Sequence, residues 1–127
     1  NAFRGYTLEI RESHQASKAD TSGTAKEMVG YFSELGIPFT VDQIAMVRET
    51  DAQLAIGVPE EHLQGHGYHR YKLRSEGGNV LLTIEHNVNG RSVYVDGTLD
   101  AIDFLARKIV EGKKGEIYSM IDVLMGQ

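Results

Sequence analysis

An alternating segment runs straight into a helical one near the start of the chain, and this pair constrains the fold more than anything else. Over residues 6–12, Tyr6, Leu8 and Ile10 fall on one side and Thr7, Glu9 and Arg11 on the other. That period of two predicts a half-buried strand. Beyond a polar loop over residues 13–23, Ala25, Met28, Val29, Phe32 and Leu35 recur at helical spacing and predict an amphipathic helix. Thr24 and Glu27 have capping-box spacing, with Ser22 as the rival cap. Gly36 suits the left-handed turn after the last helical residue, and Pro38 blocks continuation.

The rest of the chain extends this unit. Residues 42–48 predict a strand with Ile44 and Met46 inward, and residues 49–67 predict a long loop punctuated by Gly57, Pro59 and Gly65. Residues 68–75 and 79–87 predict a hairpin closed by Glu76, Gly77 and Gly78. Its first arm alternates Tyr71 and Leu73 with Arg70, Lys72 and Arg74, a basic face read as a solvated edge. In the second arm Val80, Leu82 and Ile84 share a face, while Tyr68, Tyr71 and Tyr94 read as packing or interface residues.

A second helix over residues 99–110 carries Leu99, Ile102, Ala106 and Ile109 on one side and ends at Gly112. Its start is open: residues 92–96 suit a strand, or the helix begins near Arg91. Residues 117–124 form a short terminal helix or strand. The fold class is therefore α+β: an open, mixed or mostly antiparallel sheet of about four strands with helices on one face. Apolar residues on both sheet faces would want a partner, so self-association is expected.

Composition narrows the function classes. The 127 residues suit one domain, here taken as residues 1–127. With no cysteine, disulfides, thiolate catalysis and thiolate metal sites are excluded, and a reducing compartment fits. A net charge of −5 argues against nucleic acid and anionic membrane as partners. No stretch approaches the ~20 apolar residues of a spanning helix. The chain opens at Asn1 with a strand almost at once, which reads as a piece of a longer or processed protein.

The chemistry concentrates in residues 12–25, ESHQASKADTSGTA. Ser22, Gly23 and Thr24 open the helix, where free backbone N–H groups and a partial positive charge favour an anion. Gly23 permits close approach of a carboxylate or phosphate, and the two hydroxyls add donors. Lys18 offers a mobile cation, and His14 a group that changes proton state near neutral pH. Caps, loop lysines and lone histidines each occur for structural reasons alone; here they share one strand-to-helix loop. Read from the residues, the segment binds a small anion and can transfer a proton.

Elsewhere, Glu60, Glu61, His62, His66 and His69 have spacings of three and four, so zinc is a minority reading. Gly65 and Gly67 oppose the regular helix it would need, and the main reading holds no metal. Arg91 and His86 flank the second hairpin arm and the last helix. Arg91 either reaches a substrate carboxylate or pairs on the surface with Asp96 or Glu85.

Glu12, His14, Lys18, Asp20, Ser22, Gly23, Thr24 and Ala25 stand in the order of the signature E-x-H-H-x-x-K-x-D-x-x-S-G-T-A. This segment resembles the dihydrodipicolinate reductases of lysine biosynthesis. Residues 57–71, 85–109 and 117–124 resemble the plant-type branch, so the likeness covers residues 3 to 124. Two departures from the commoner bacterial pattern match the plant type: Gln15 replaces the second histidine, and only Thr21 separates Asp20 from Ser22.

The resemblance implies a two-domain enzyme. An N-terminal Rossmann domain, absent from this chain, would bind NADPH or NADH. This chain would be the second domain, which binds a cyclic dicarboxylate and assembles a tetramer through its sheet. It also implies that His14 is a proton donor/acceptor, that Lys18 is a proton donor, and that Gln15, Ser22, Gly23 and Thr24 contact substrate. No G-x-G-x-x-G follows any strand, so the chain by itself is expected to bind substrate weakly and to reduce nothing. The setting would be a bacterial cytoplasm or a plastid stroma. A rival reading is a non-catalytic, reductase-like scaffold protein, in which His14 and Lys18 would have no purpose.

Overall fold

A computed structural model describes residues 3–126. The reading taken from Asn1 lies outside the described residues. The chain divides at Gly90/Arg91 into two compact units.

In the first unit, β1 (Thr7–His14) leads through a turn into α1 (Gly23–Glu34), and a 3-10 turn at Val41–Gln43 leads into β2 (Ala45–Val47). A short helix, α2 (Thr50–Ala55), precedes β3 (His66–Arg74) and β4 (Leu81–Asn89). The sheet order is β2-β1-β3-β4. β1 pairs parallel with β2 and antiparallel with β3, and β3 pairs antiparallel with β4. The sheet is thus mixed, open and four-stranded, as expected. The parallel pair needs a crossover, and α1 supplies it.

Burial follows the strand alternation. Leu8 and Ile10 of β1 stand opposite Leu73 and Tyr71 of β3. All four are buried together with Ala25, Val29 and Phe32 of α1, and with Ile37 and Ile44. α1 ends as its sequence demands: Gly36 has φ +80°, its N–H donates to Ser33 O, and Ile37 N–H donates to Phe32 O. Ile37 is fully buried at that turn.

Several expectations are corrected. Ser22, not Thr24, caps α1. Leu35 is exposed, because the helix has already closed its last turn there. Met46 is exposed while Ile44 is buried: Met46 stands beside Glu12, where this sheet face has turned polar. The supposed loop over residues 49–67 contains α2, whose six residues are too few to show a helical period. β3 lies inside the sheet, so Arg70, Lys72 and Arg74 are not an edge. They share the second sheet face with Glu9, Arg11 and Glu85, and Arg70 pairs with Glu85 at 3.0 Å. That face is charged rather than apolar. A cleft of about 430 Å³ on it is lined by Arg11, Arg70 and Lys72 and includes neither His14 nor Lys18.

In the second unit, a 3-10 turn at Ser92–Tyr94 leads into α3 (Val95–Val110), and α4 (Met120–Met125) follows. The open choice at residues 92–96 resolves as turn and helix. Phe104 is the buried residue of α3, meeting Tyr118 edge-on at 5.2 Å beneath the Lys108 ammonium. The expected stripe of Leu99, Ile102, Ala106 and Ile109 lies on α3 but is exposed, because the covered side is that of Phe104. Ser119 caps α4, accepting from Asp122 N, while the Asp122 carboxylate accepts from Ser119 N. Among the described residues no helix is long and apolar enough to cross a membrane.

Phe32 joins α1 to the sheet through Tyr71, with ring centroids 5.8 Å apart. Phe32→Ala should destabilise the chain by about 3–5 kcal/mol, read from its denaturant midpoint. A change below about 1 kcal/mol would place the core elsewhere.

Candidate functional site

The sheet face that carries the core continues into the site. After Leu8 and Ile10, the next residues of β1 on that face are Glu12 and His14, opposite His69 and Gly67 of β3. Polarity therefore changes along one strand face, apolar under α1 and ionisable towards the end of β1. His86 of β4 continues the row, paired with His69, their rings stacked 6.0 Å apart.

Glu12 is fully buried. Arg48, just after β2, donates from Nη2 to Glu12 Oε1 at 2.6 Å, and His14 Nδ1 lies 2.5 Å from Glu12 Oε2. Burial pushes the Glu12 carboxyl up, but hydrogen bonds from His14 and Arg48 outweigh it and hold the group at about 2. A carboxylate only accepts, so His14 Nδ1 carries the proton and Nε2 is the free position. A Cβ added at Gly67 would stand 3.4 Å from His14 Nε2, so the glycine leaves that nitrogen uncovered.

The loop beyond β1 turns back at once: Lys18 N–H donates to Gln15 O at 2.9 Å. Lys18 Nζ donates to exposed Asp20 at 2.7 Å, and the ammonium lowers that carboxyl. Arg48 Nε donates to Lys18 O at 2.7 Å. Ser22 Oγ accepts from Ala25 N at 3.4 Å and bonds His69 Nε2 at 2.9 Å. Its hydroxyl is thus committed inside the protein, whereas Gly23 and Thr24 are exposed at the helix start. A Cβ at Gly23 would meet nothing within 4 Å.

His14, Gln15, Lys18, Ser22, Gly23, Thr24 and His86 all lie in the first unit, on β1, α1, their connecting loop and β4. Arg91 belongs to the second unit. Among the described residues no ion pair joins it to Asp96 of the same unit, and Glu85 of the first unit pairs with Arg70.

The residues that sequence reasoning missed are the buried supports. Glu12 was visible only as a letter in the signature. Arg48 sits 36 positions away from it. Gln53 of α2 is buried and donates to His14 O at 2.7 Å and Val47 O at 3.3 Å, tying the ends of β1 and β2 together. His69 is buried between Ser22 and the edge of the His14 ring, 5.2 Å away. Burial, then the neighbouring His14, lower it to about 4, so it stays neutral. No sequence pattern marked Arg48 or Gln53, and His69 stood out only in the zinc spacing, because each acts across the fold.

The zinc reading is corrected. His66 and His69 are three apart on a strand, hence on opposite faces. His66 has both ring nitrogens engaged, by Ser13 Oγ at 2.7 Å and His62 O at 3.1 Å. The acidic and histidine side chains that do converge are Glu12, His14 and His69. There Arg48 already supplies the positive charge that Glu12 requires.

Both shifted groups set the sign of the pH dependence. His69 is lowered from 6.5 to about 4, so its contribution is complete above 6.5 and is lost as pH falls towards 4. Glu12 is lowered from 4.5 to about 2, so its contribution is complete above 4.5 and is lost as pH falls towards 2. The Glu12 shift corresponds to roughly 3 kcal/mol. Denaturant midpoints should therefore fall steadily from neutral pH into acid, and His69→Gln should flatten the upper part of the fall. A midpoint that stays constant down to pH ~4 contradicts this.

Three comparisons bear on what the site is. Residues 1–124 match the family described as "Dihydrodipicolinate reductase, C-terminus". Over 124 residues, 97% of this chain, it is 51% identical to 4-hydroxy-tetrahydrodipicolinate reductase 2, chloroplastic, of Arabidopsis thaliana. It is 50% identical over the same length to the probable 4-hydroxy-tetrahydrodipicolinate reductase 1, chloroplastic, of Oryza sativa subsp. japonica. The chain spans 36% of the length of each of these relatives. The chain belongs to the dihydrodipicolinate reductase C-terminal family.

Proposed function

We propose that this chain is the substrate-binding and assembly domain of a 4-hydroxy-tetrahydrodipicolinate reductase, acting in the diaminopimelate route to lysine. The observation that carries the reading is the Glu12–His14 pair at the end of β1, beside the loop that leads through Lys18 to the open start of α1. A cyclic dicarboxylate needs a helix start and a cation for its charge. Its reduction needs a proton to balance the hydride.

In this reading the N–H groups of Gly23 and Thr24, with the Thr24 hydroxyl, hold one ring carboxylate. Gln15 and His86 border the ring. Lys18 delivers the proton. His14 gives or takes one at Nε2, since Nδ1 is held by Glu12. Ser22 supports the site through His69 rather than by touching the ligand. The paired and aimed His14 favours an enzyme over a non-catalytic scaffold protein.

The strand-to-helix turn here carries one glycine, Gly23, and a capping serine bound to His69. It does not fit a dinucleotide pyrophosphate, which requires a multi-glycine turn. NADPH or NADH, bound by a Rossmann domain elsewhere in a full-length reductase, would supply the hydride. A plastid setting is supported by the relatives' names, which carry the word chloroplastic. Self-association through the sheet is supported by β4, an edge strand with exposed Leu81, Leu82 and Ile84.

Pyridine-2,6-dicarboxylate, a planar mimic of the ring, should raise the melting temperature. At a hundredfold excess over its Kd the stabilisation is about 2.7 kcal/mol. Lys18→Ala should reduce the shift; no shift, or an equal one in the variant, sinks the proposed site. Sedimentation should show an oligomer up to a tetramer, and a strict monomer at high concentration would refute assembly through this sheet.

A further inference from the structure

The Arg48 guanidinium is committed to protein partners all around the candidate site. Nη2 donates to Glu12 Oε1 at 2.6 Å and reaches Asp20 O at 3.4 Å. Nη1 donates to Val47 O at 3.0 Å and reaches Glu12 Oε2 at 3.4 Å. Nε donates to Lys18 O at 2.7 Å. One planar group thus binds a side chain of β1, the end of β2 and two carbonyls of the loop that carries Lys18.

We infer that Arg48 is a positioning residue, a clamp that ties the Glu12 carboxylate to the Lys18–Asp20 backbone and so fixes both proton-transfer groups at once. The inference rests on the proposed roles of His14 and Lys18. It has two separable parts. Through Glu12, Arg48 keeps a carboxylate on His14 Nδ1, which leaves Nε2 as the nitrogen open towards Gly67. Through Lys18 O and Asp20 O, it holds the loop over the same carboxylate. A lysine has the charge but not the planar fork of donors, so Arg48→Lys should keep the first part and lose the second.

The experiment uses this chain without ligand. Long-range imidazole nitrogen–proton spectra at pH about 8.5, where an ordinary histidine is neutral, report the tautomer of His14. Amide exchange at Lys18 reports the loop. In the parent chain His14 should be the Nδ1–H form. In Arg48→Met the Nε2–H form should become populated. In Arg48→Lys the tautomer should persist, while Lys18 exchange quickens about tenfold, the weight of one charge-assisted hydrogen bond.

Arg48→Met leaves the buried Glu12 carboxylate with His14 but without its guanidinium partner and can unfold the chain. The lysine variant then decides, because it keeps the charge. A parent His14 in the Nε2–H form, a folded Arg48→Met with an unchanged tautomer, or an Arg48→Lys with unchanged Lys18 exchange would each overturn the clamp. Failure of the parent to bind pyridine-2,6-dicarboxylate would sink the functional reading while leaving these spectra as they are.

Discussion

A buried carboxylate organises the first unit. Glu12 has no exposed side-chain surface, and an ionised carboxylate taken out of water costs several kcal/mol unless it is paired. Arg48 and His14 meet that demand from two sides, and the result is a carboxylate held far below its ordinary value. The demand runs both ways: Glu12 can stay buried only if β2 brings Arg48 alongside β1. The polar loop after β1 is then laid over the pair by its own carbonyls. Gln53 adds a neutral tie between the same strand ends.

Core and site are successive stretches of one sheet face. The register runs Leu8 with Leu73, Ile10 with Tyr71, Glu12 with His69, then His14 with Gly67. A slip of one residue would turn every one of these side chains to the other face, so the packing that fixes the register also fixes the site. α1 covers the apolar part and begins beside the polar part, which places its free N–H groups at the end of β1. Ser22 joins the two, capping the helix while bonding His69 from the strand. His69 is kept neutral by burial beside His14.

The two sheet faces differ in chemistry, not only in burial. The covered face carries the core with His14, His69 and His86; the other carries Glu9, Arg11, Arg70, Lys72 and Glu85. In the second unit the covered side of α3 is the Phe104 side, while Leu99, Ile102, Leu105 and Ile109 are exposed. Amphipathic patterning identified the helix but not which face is covered, because exposure depends on what packs against the helix.

Local physics made much of this legible in advance. The strand period over residues 6–12, the stripe of α1, its Gly36 stop and the hairpin each depend on neighbours a few positions apart, and each appears in the fold. The run from Glu12 to Ala25 was likewise readable as a cation, a histidine and a helix start, and its order of residues resembled one reductase family, to which the chain belongs. What sequence could not supply was the short α2, too brief to show a period, and everything that depends on distant pairing: which serine or threonine caps α1, the burial of Ile44 but not Met46, the interior place of β3, and the partners of Glu12. Arg48, Gln53 and His69 reach the site from elements far along the chain, and a side chain's contacts across a sheet leave no period in the sequence. The amino-acid order thus determined the chemistry at the end of β1. Only the tertiary structure decided the orientation of that chemistry, because a buried charge must find its partner wherever the fold brings one.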